Sequence, residues 1–165
     1  MNQLFGVLIP VWVSTLAWFV GAAARILGGD KTARIFAWSW LLGSLAMWLH
    51  ILGSYAIAYH WSHTEALLAT AQESERVTGI RAAWGVYVNF CFASAWTLFS
   101  ARLAVGGTWN RDIDWLVCVF TAGIISMATI VFETGFVRVA SSLGFAILGL
   151  LILQRMLSRR ETLSR

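Results

Sequence analysis

The sequence predicts an all-α fold, a polytopic transmembrane helix bundle with about five spans. Three observations lead to this prediction: the apolar composition, the lengths of the apolar runs and the placement of the basic residues. Hydrophobic residues make up 59% of the 165-residue chain, and the mean hydropathy is +0.72. Soluble domains contain roughly 45–50% apolar residues, so a water-soluble fold of this size could not bury so much apolar surface. Only 12% of the residues are charged and one is proline, which permits long helices.

Five apolar runs follow one another along the chain, at 4–24, 35–59, 82–101, 115–132 and 139–156. Each has about 18 to 25 residues, the length that crosses roughly 30 Å of hydrocarbon at 1.5 Å per residue. The first run is expected to stay in the protein as a span, because it is too long for a signal peptide and lacks a basic segment before it. The whole chain, 1–165, is therefore predicted to be one transmembrane domain.

The boundary between the fourth and fifth runs is the least distinct. Only residues 133–138 separate the two runs, and one continuous helix across both would be far too long for a bilayer. Gly135 offers a position where a helix can stop and the chain can turn. We therefore predict two spans here and not one.

The basic residues predict the orientation of the chain. If five spans alternate and the C-terminus is cytoplasmic, nine of the twelve basic residues face the cytoplasm and three face outward, as the positive-inside rule favours. The inner set is Arg25, Lys31, Arg34, Arg102, Arg111, Arg155, Arg159, Arg160 and Arg165, and the outer set is Arg76, Arg81 and Arg138. A four-span or six-span arrangement would mix the two sets. The sequence thus predicts a multi-pass protein of the cell (inner) membrane with its N-terminus outside.

The connection between the second and third runs, residues 60–81, has room for structure of its own. Ser62 and Glu65 have the spacing of a capping box, and the segment from Glu65 to Arg76 contains neither glycine nor proline. We therefore predict a short helix lying at the outer membrane interface. The alternative is a solvated linker.

Two strongly polar side chains, His50 and Asn89, fall deep inside the predicted spans. His50 is about nine residues from the outer end of its run and Asn89 about seven residues from the outer end of its own, so both should lie roughly 10 to 14 Å below the outer surface. A charged residue at membrane depth costs about 2.5 to 3.5 kcal/mol, so polar groups there are expected to have a structural or functional role. We predict that His50 and Asn89 form a buried polar pair. The pair is either a hydrogen bond between helices or a site for a proton, a quinone head or a metal.

A second group of candidate residues lies at the outer surface. His60 and His63 are three positions apart with Glu65 close by, and Glu133 directly follows the fourth run on the same side. Imidazole and carboxylate groups are ligands for Zn²⁺ and Cu²⁺, which makes these four residues a candidate transition-metal site. The alternative is that the histidines are solvated or contact lipid headgroups, and that Glu133 forms an ion pair with an outer arginine.

No function class is singled out by a motif. The net charge of +4 does not form a basic patch with interleaved aromatics on a soluble face, so the expected partner is the lipid bilayer and not nucleic acid. The sequence contains no glycine-rich phosphate loop, no zincin motif and no CxxC. An enzymatic role is therefore not predicted.

Two hypotheses remain from the sequence. The first is a small non-enzymatic membrane protein that associates with itself or with a larger membrane complex, because small residues line faces of the fifth run. These faces contain Ala140 with Gly144, and Ser142 with Ala146. The second is an outward-facing metal-binding or redox protein, associated with a quinone or haem, that uses its histidines. A haem held by two histidines of one chain is not expected, since only His50 lies deep.

Overall fold

The computed structural model describes residues 2–163, with side chains described from 6 to 158. Within this part of the chain the structure contains helices and no strand. The helices are α1 (Asn2–Leu27), α2 (Asp30–Ile57), α3 (His63–Thr78), α4 (Gly85–Ala104), α5 (Arg111–Ser126), a π-helical turn (Met127–Val131) and α6 (Gly135–Leu163). The all-α prediction is confirmed.

Four of these helices are long and apolar enough to cross a membrane, as expected of a helical membrane protein. The four segments are Gly6–Leu27, Asp30–Ile57, Arg111–Val131 and Gly135–Ser158. They correspond to the first, second, fourth and fifth predicted runs. The third predicted run forms α4, whose apolar character is reduced by Asn89 and by the hydroxyls of Ser94, Thr97 and Ser100.

The helix predicted in the connection between α2 and α4 is present as α3. Ser62 is its N-cap, and the Ser62 side chain accepts a hydrogen bond from the Glu65 backbone N–H at 3.2 Å. Only this half of the capping box forms, because the Glu65 carboxylate lies instead beside His60. At the other end, Gly79 has a φ of 75° and closes α3 in the left-handed conformation that glycine adopts most readily.

The turn predicted at Gly135 is also present. Gly135 has a φ of 59° and is the first residue of α6, so the last helix begins earlier than the apolar run suggested. The π-helical turn before it was not predicted. It is closed by a hydrogen bond from the Phe132 N–H to the Met127 carbonyl at 3.1 Å, which joins residues five apart.

Helices α1, α2 and α4 meet in an aromatic core. Trp18, Trp40 and Trp96 are each at most 3% exposed, and the Trp40 indole N–H donates to the Trp18 carbonyl at 3.1 Å. Gly43 makes this close approach possible, because a Cβ built there would lie 2.8 Å from the Trp96 ring. A glycine at this position lets large indole rings fill the space between helix backbones.

Helix α6 contacts the rest of the bundle along a narrow face. Gly144 lies against the Phe19 ring of α1, where a Cβ would be only 2.7 Å from a ring carbon. Away from the turn at 132–134, the described parts of α5 and α6 make few contacts with each other. The two helices therefore diverge from the turn and leave a gap between them.

Candidate functional site

A cavity of about 180 Å³ lies between α2, α3 and α4, near the ends where these three helices are connected, and the end of α5 closes one side of it. Its polar lining residues are His50, Ser54, Tyr55, Tyr59, Thr70 and Asn89. Its walls are otherwise apolar and include Met47, Ile51, Val86, Phe90, Phe92 and Ile125. Apolar walls with a few polar groups are typical of small-molecule sites.

His50 is held in one orientation by helix α1. Its Nδ1 lies 2.8 Å from the Val7 carbonyl oxygen. Because a carbonyl oxygen only accepts hydrogen bonds, Nδ1 carries the proton and donates, which leaves Nε2 of a neutral ring as an acceptor. No partner for Nε2 is present among the side chains from 6 to 158. His50 thus brings an unused acceptor to the cavity wall.

Asn89 reaches the same cavity from α4, and its side chain is exposed. The two residues predicted to pair therefore line one cavity, although no hydrogen bond joins them within the described region. His50 is bonded to Val7 instead, so the Asn89 amide keeps both its donors and its acceptor available. Whether the two act as a pair stays a prediction.

His63 connects α3 to both neighbouring helices beside this cavity. Its Nδ1 lies 2.8 Å from the Tyr55 hydroxyl of α2, and its Nε2 lies 3.1 Å from the Tyr87 hydroxyl of α4. The Tyr55 and His63 rings also stack, with centroids 6.3 Å apart. In a neutral ring one nitrogen accepts from one tyrosine while the other donates to the second, so the three residues form a continuous hydrogen-bonded row.

The remaining predicted metal ligands are more dispersed. His60 Nδ1 lies 3.6 Å from a Glu65 carboxylate oxygen, and both side chains are exposed. Glu133 lies at the turn before α6, where its backbone carbonyl, and not its carboxylate, accepts from Arg138 Nε at 2.8 Å. Among the described side chains no three His, Cys, Asp or Glu residues lie close enough to hold one metal ion. The transition-metal site stays a prediction.

The backbone around His60 shows why this residue projects into solvent. His60 and Trp61 have φ values of 48° and 63°, in the left-handed region that non-glycine residues seldom adopt. The Trp61 N–H donates to the Tyr55 carbonyl at 2.7 Å, which closes the end of α2. The chain therefore reverses within a few residues and places His63 directly over α2.

The opposite end of the bundle holds polar contacts that the sequence did not reveal. Arg25 of α1 forms an ion pair with Asp114 of α5, and its guanidinium lies 5.2 Å from the centre of the Phe36 ring. Arg155 of α6 donates to the Ile26 carbonyl at the end of α1. Sequence patterns assigned these arginines only to a membrane side. The sequence feature that could have indicated the ion pair is Asp114, an acidic residue on the side predicted to hold the basic ends of the helices.

Comparisons with known proteins do not identify a function for this cavity. The chain matches no protein-family model, no curated protein and no solved structure. The cavity between α2, α3 and α4 offers an acceptor at His50, an amide at Asn89 and hydroxyls at Tyr59 and Thr70, beside the aromatic rings of its wall. This set can hold a small ring through stacking and two or three hydrogen bonds.

Proposed function

We propose that the chain is a five-span protein of the cell inner membrane that binds a small ring-bearing molecule without transforming it. The binding site is the cavity lined by His50 and Asn89, here called the outer cavity. The ligand class we infer is the head group of a membrane quinol. The observation that carries this proposal is the hydrogen bond from His50 Nδ1 to the Val7 carbonyl, 2.8 Å long, at the wall of that cavity. It leaves Nε2 ready to accept a hydrogen bond from a ligand hydroxyl.

The position of α4 supports the fifth span. The Trp48 indole N–H of α2 donates to the Thr97 hydroxyl of α4 at 3.1 Å, and Ser44 and Ser100 approach within 3.4 Å. Helix α2 is itself long and apolar enough to cross a membrane, so a helix packed along it lies at the same depth. Trp96 of α4 is 0% exposed. Thr97 and Ser100 lie against α2, so α4 can carry these hydroxyls at membrane depth.

The neighbours of α3 support its proposed position at the membrane interface. Helix α3 joins the same ends of α2 and α4, and the exposed aromatic residues Trp61 and Trp84 lie just before and after it. Tryptophan is enriched where hydrocarbon meets headgroup. The nine-to-three division of basic residues supports an orientation with this end outside and the C-terminus in the cytoplasm.

The size of the cavity favours one aromatic ring. An apolar cavity of about 150 Å³ is large enough for benzene, and the outer cavity has about 180 Å³. A quinol ring carries hydroxyls that can donate to His50 Nε2 and accept from the Asn89 amide, while Phe90 and Phe92 supply apolar wall. A molecule of this class reaches the cavity by diffusing within the bilayer, which suits a cavity lined by membrane helices.

Binding to the detergent-solubilised full chain tests the proposal. The probe is a short-tailed quinol, and the measurement is quenching of tryptophan fluorescence, since Trp48 lies next to the cavity-lining Phe90 at 6.2 Å between ring centroids. His50→Ala is expected to weaken binding about tenfold, because the hydrogen bond lost leaves a ligand hydroxyl unpaired. His60→Ala is the matched control, a histidine outside the cavity, and is expected to leave binding unchanged.

Three outcomes would contradict this function. The first is the absence of saturable quenching by the quinol in the wild-type protein. The second is equal affinity of the wild type and His50→Ala, and the third is equal affinity for the quinol and for its dimethyl ether, which lacks the hydroxyl hydrogens. The second or third result would remove His50 as the residue that recognises the ligand.

A second candidate function, association with itself or with a larger membrane complex, is favoured by the outer face of α6. Ser142 and Ala146 are exposed and lie four residues apart on one face of this helix, whereas Gly144 is used within the chain against Phe19. Small exposed residues allow another helix to approach closely. Light scattering in mild detergent measures the mass of the particle. A lone monomer, unchanged by Ala146→Leu, would contradict this candidate.

A further inference from the structure

A second and larger cavity, here called the inner cleft, lies at the other end of the bundle and does not involve the quinol site. It has a volume of about 720 Å³ and lies between α1, α5 and α6. Its apolar lining residues include Trp18, Ala22, Trp40, Ala122, Phe145 and Leu148. Arg25, Asp114 and Arg155 lie at its polar end.

The inner cleft results from the way α6 packs against α1 and diverges from α5. Helices α5 and α6 are joined by the turn at 132–134 and then diverge, while Gly144 keeps α6 against Phe19 of α1. Beyond that contact, Gly149 lines the cleft and a Cβ built on it would meet no atom within 4 Å. The space between the helices therefore widens toward the end that carries the arginines.

The charges at the polar end leave a guanidinium available. Arg25 is neutralised by its ion pair with Asp114. Arg155 uses Nη1 for the Ile26 and Arg25 carbonyls at the end of α1, and no acceptor for its Nε or Nη2 is present among the described residues. Two guanidinium groups and one carboxylate give this end a net positive charge. An anionic group that accepts hydrogen bonds would complement it.

The dimensions match one lipid leaflet. Phe145 and Arg155 both line the inner cleft and are ten residues apart on α6, a distance of about 15 Å along the helix. Half of the roughly 30 Å hydrocarbon core is also about 15 Å. With its phosphate level with Arg155, an acyl chain could therefore run along the apolar wall for most of the depth of one leaflet.

We propose that the inner cleft binds one anionic phospholipid of the cytoplasmic leaflet, with its phosphate at Arg155 and an acyl chain along the apolar wall. Basic pockets between transmembrane helices on the cytoplasmic side are suited to anionic headgroups. The apolar part of the cleft distinguishes a phospholipid from free phosphate, because phosphate alone would leave that wall uncovered. The bound lipid would fill the space between α5 and α6 and hold them apart.

Native mass spectrometry of the detergent-solubilised full chain with added phosphatidylglycerol tests the proposal. Arg155→Gln is expected to lower occupancy about tenfold, because hydrogen bonds to charged groups contribute about 1.5 to 3 kcal/mol. Gly149→Phe fills the apolar part without touching a charge and is expected to lower occupancy as much. The matched controls are Arg138→Gln, at the opposite end of α6, and Gly123→Phe, whose Cβ also meets no atom within 4 Å but lies outside the cleft.

The variants also distinguish the sources of the phosphate. Loss of phosphatidylglycerol in Arg155→Gln and Gly149→Phe, with both controls at wild-type occupancy, supports the proposal. Loss in Arg155→Gln alone, together with competition by inorganic phosphate, would show an anion site without an acyl chain and would overturn it. Equal retention of phosphatidylcholine and phosphatidylglycerol would overturn it too. If Arg155→Gln does not fold, Gly149→Phe and Gly123→Phe still decide the outcome.

Discussion

The position of α3 depends on His63, and replacing this residue with phenylalanine gives a quantitative prediction. His63→Phe keeps an aromatic ring to stack on Tyr55 but removes both hydrogen bonds, to Tyr55 and to Tyr87. A net side-chain hydrogen bond contributes about 0.5 to 1.5 kcal/mol, and the exposure of this row places each bond near the lower value. The two bonds together then contribute about 1 kcal/mol, which corresponds to a roughly fivefold change in the population of detached α3.

Hydrogen exchange of the full chain measures that population. The amides of α3 should exchange roughly fivefold faster in His63→Phe and about twofold faster in Tyr55→Phe or Tyr87→Phe, because each tyrosine variant removes one bond. His60→Ala is the control, since His60 contacts neither tyrosine through a hydrogen bond in the described structure. Exchange in His63→Phe at the wild-type rate, or equal acceleration by His60→Ala, would refute the role assigned to His63.

Three further predictions concern the stability of the bundle. Ser62→Ala should destabilise α3 by about 1 kcal/mol through loss of the N-cap, seen as faster exchange of the first turn; an unchanged rate would contradict the cap. Gly43→Val should lower the free energy of unfolding by about 1 to 3 kcal/mol, measured as a lower midpoint of thermal unfolding, because its Cβ would overlap the Trp96 ring. Gly123→Val has open space and serves as the control. A hydrogen bond from Arg76 lowers the pKa of Glu73 below its ordinary value of 4.5, so the pair stabilises α3 fully above that value and progressively less as the pH falls through the lowered pKa. Glu73→Gln should remove this acid dependence of α3 exchange, and an acid dependence equal to that of the wild type would contradict the assignment.

Features set by neighbours in the chain were predictable from the sequence. The cap of α3 depends on Ser62 and Glu65, three positions apart, and the turn before α6 depends on Gly135, so each is visible in a short window. The apolar runs predicted the helices, because length and hydropathy are properties of a continuous segment. The same kind of local signal predicted that the last two apolar runs form separate helices.

Features set by packing were not predictable. Tyr55 and Tyr87 lie eight and 24 positions from His63, and nothing in their spacing shows that both hydroxyls reach the same ring. The contact between Arg25 and Asp114 depends on how α5 is placed against α1. The inner cleft depends on the divergence of α5 and α6, which no periodicity encodes. Polarity identified His50 and Asn89, but the Val7 carbonyl that orients His50 is a backbone group without a sequence signal.

Labelling of introduced cysteines in intact cells tests the central claim, that five helices cross the membrane and place α3 outside. Gln72 of α3 and Thr108 between α4 and α5 are both exposed, and α4 lies between them. With a membrane-impermeant maleimide, Gln72→Cys should be labelled in intact cells and Thr108→Cys only after permeabilisation, with the unmodified chain as the background. Labelling of both positions from the same side would contradict the account, because α4 would then not cross the membrane.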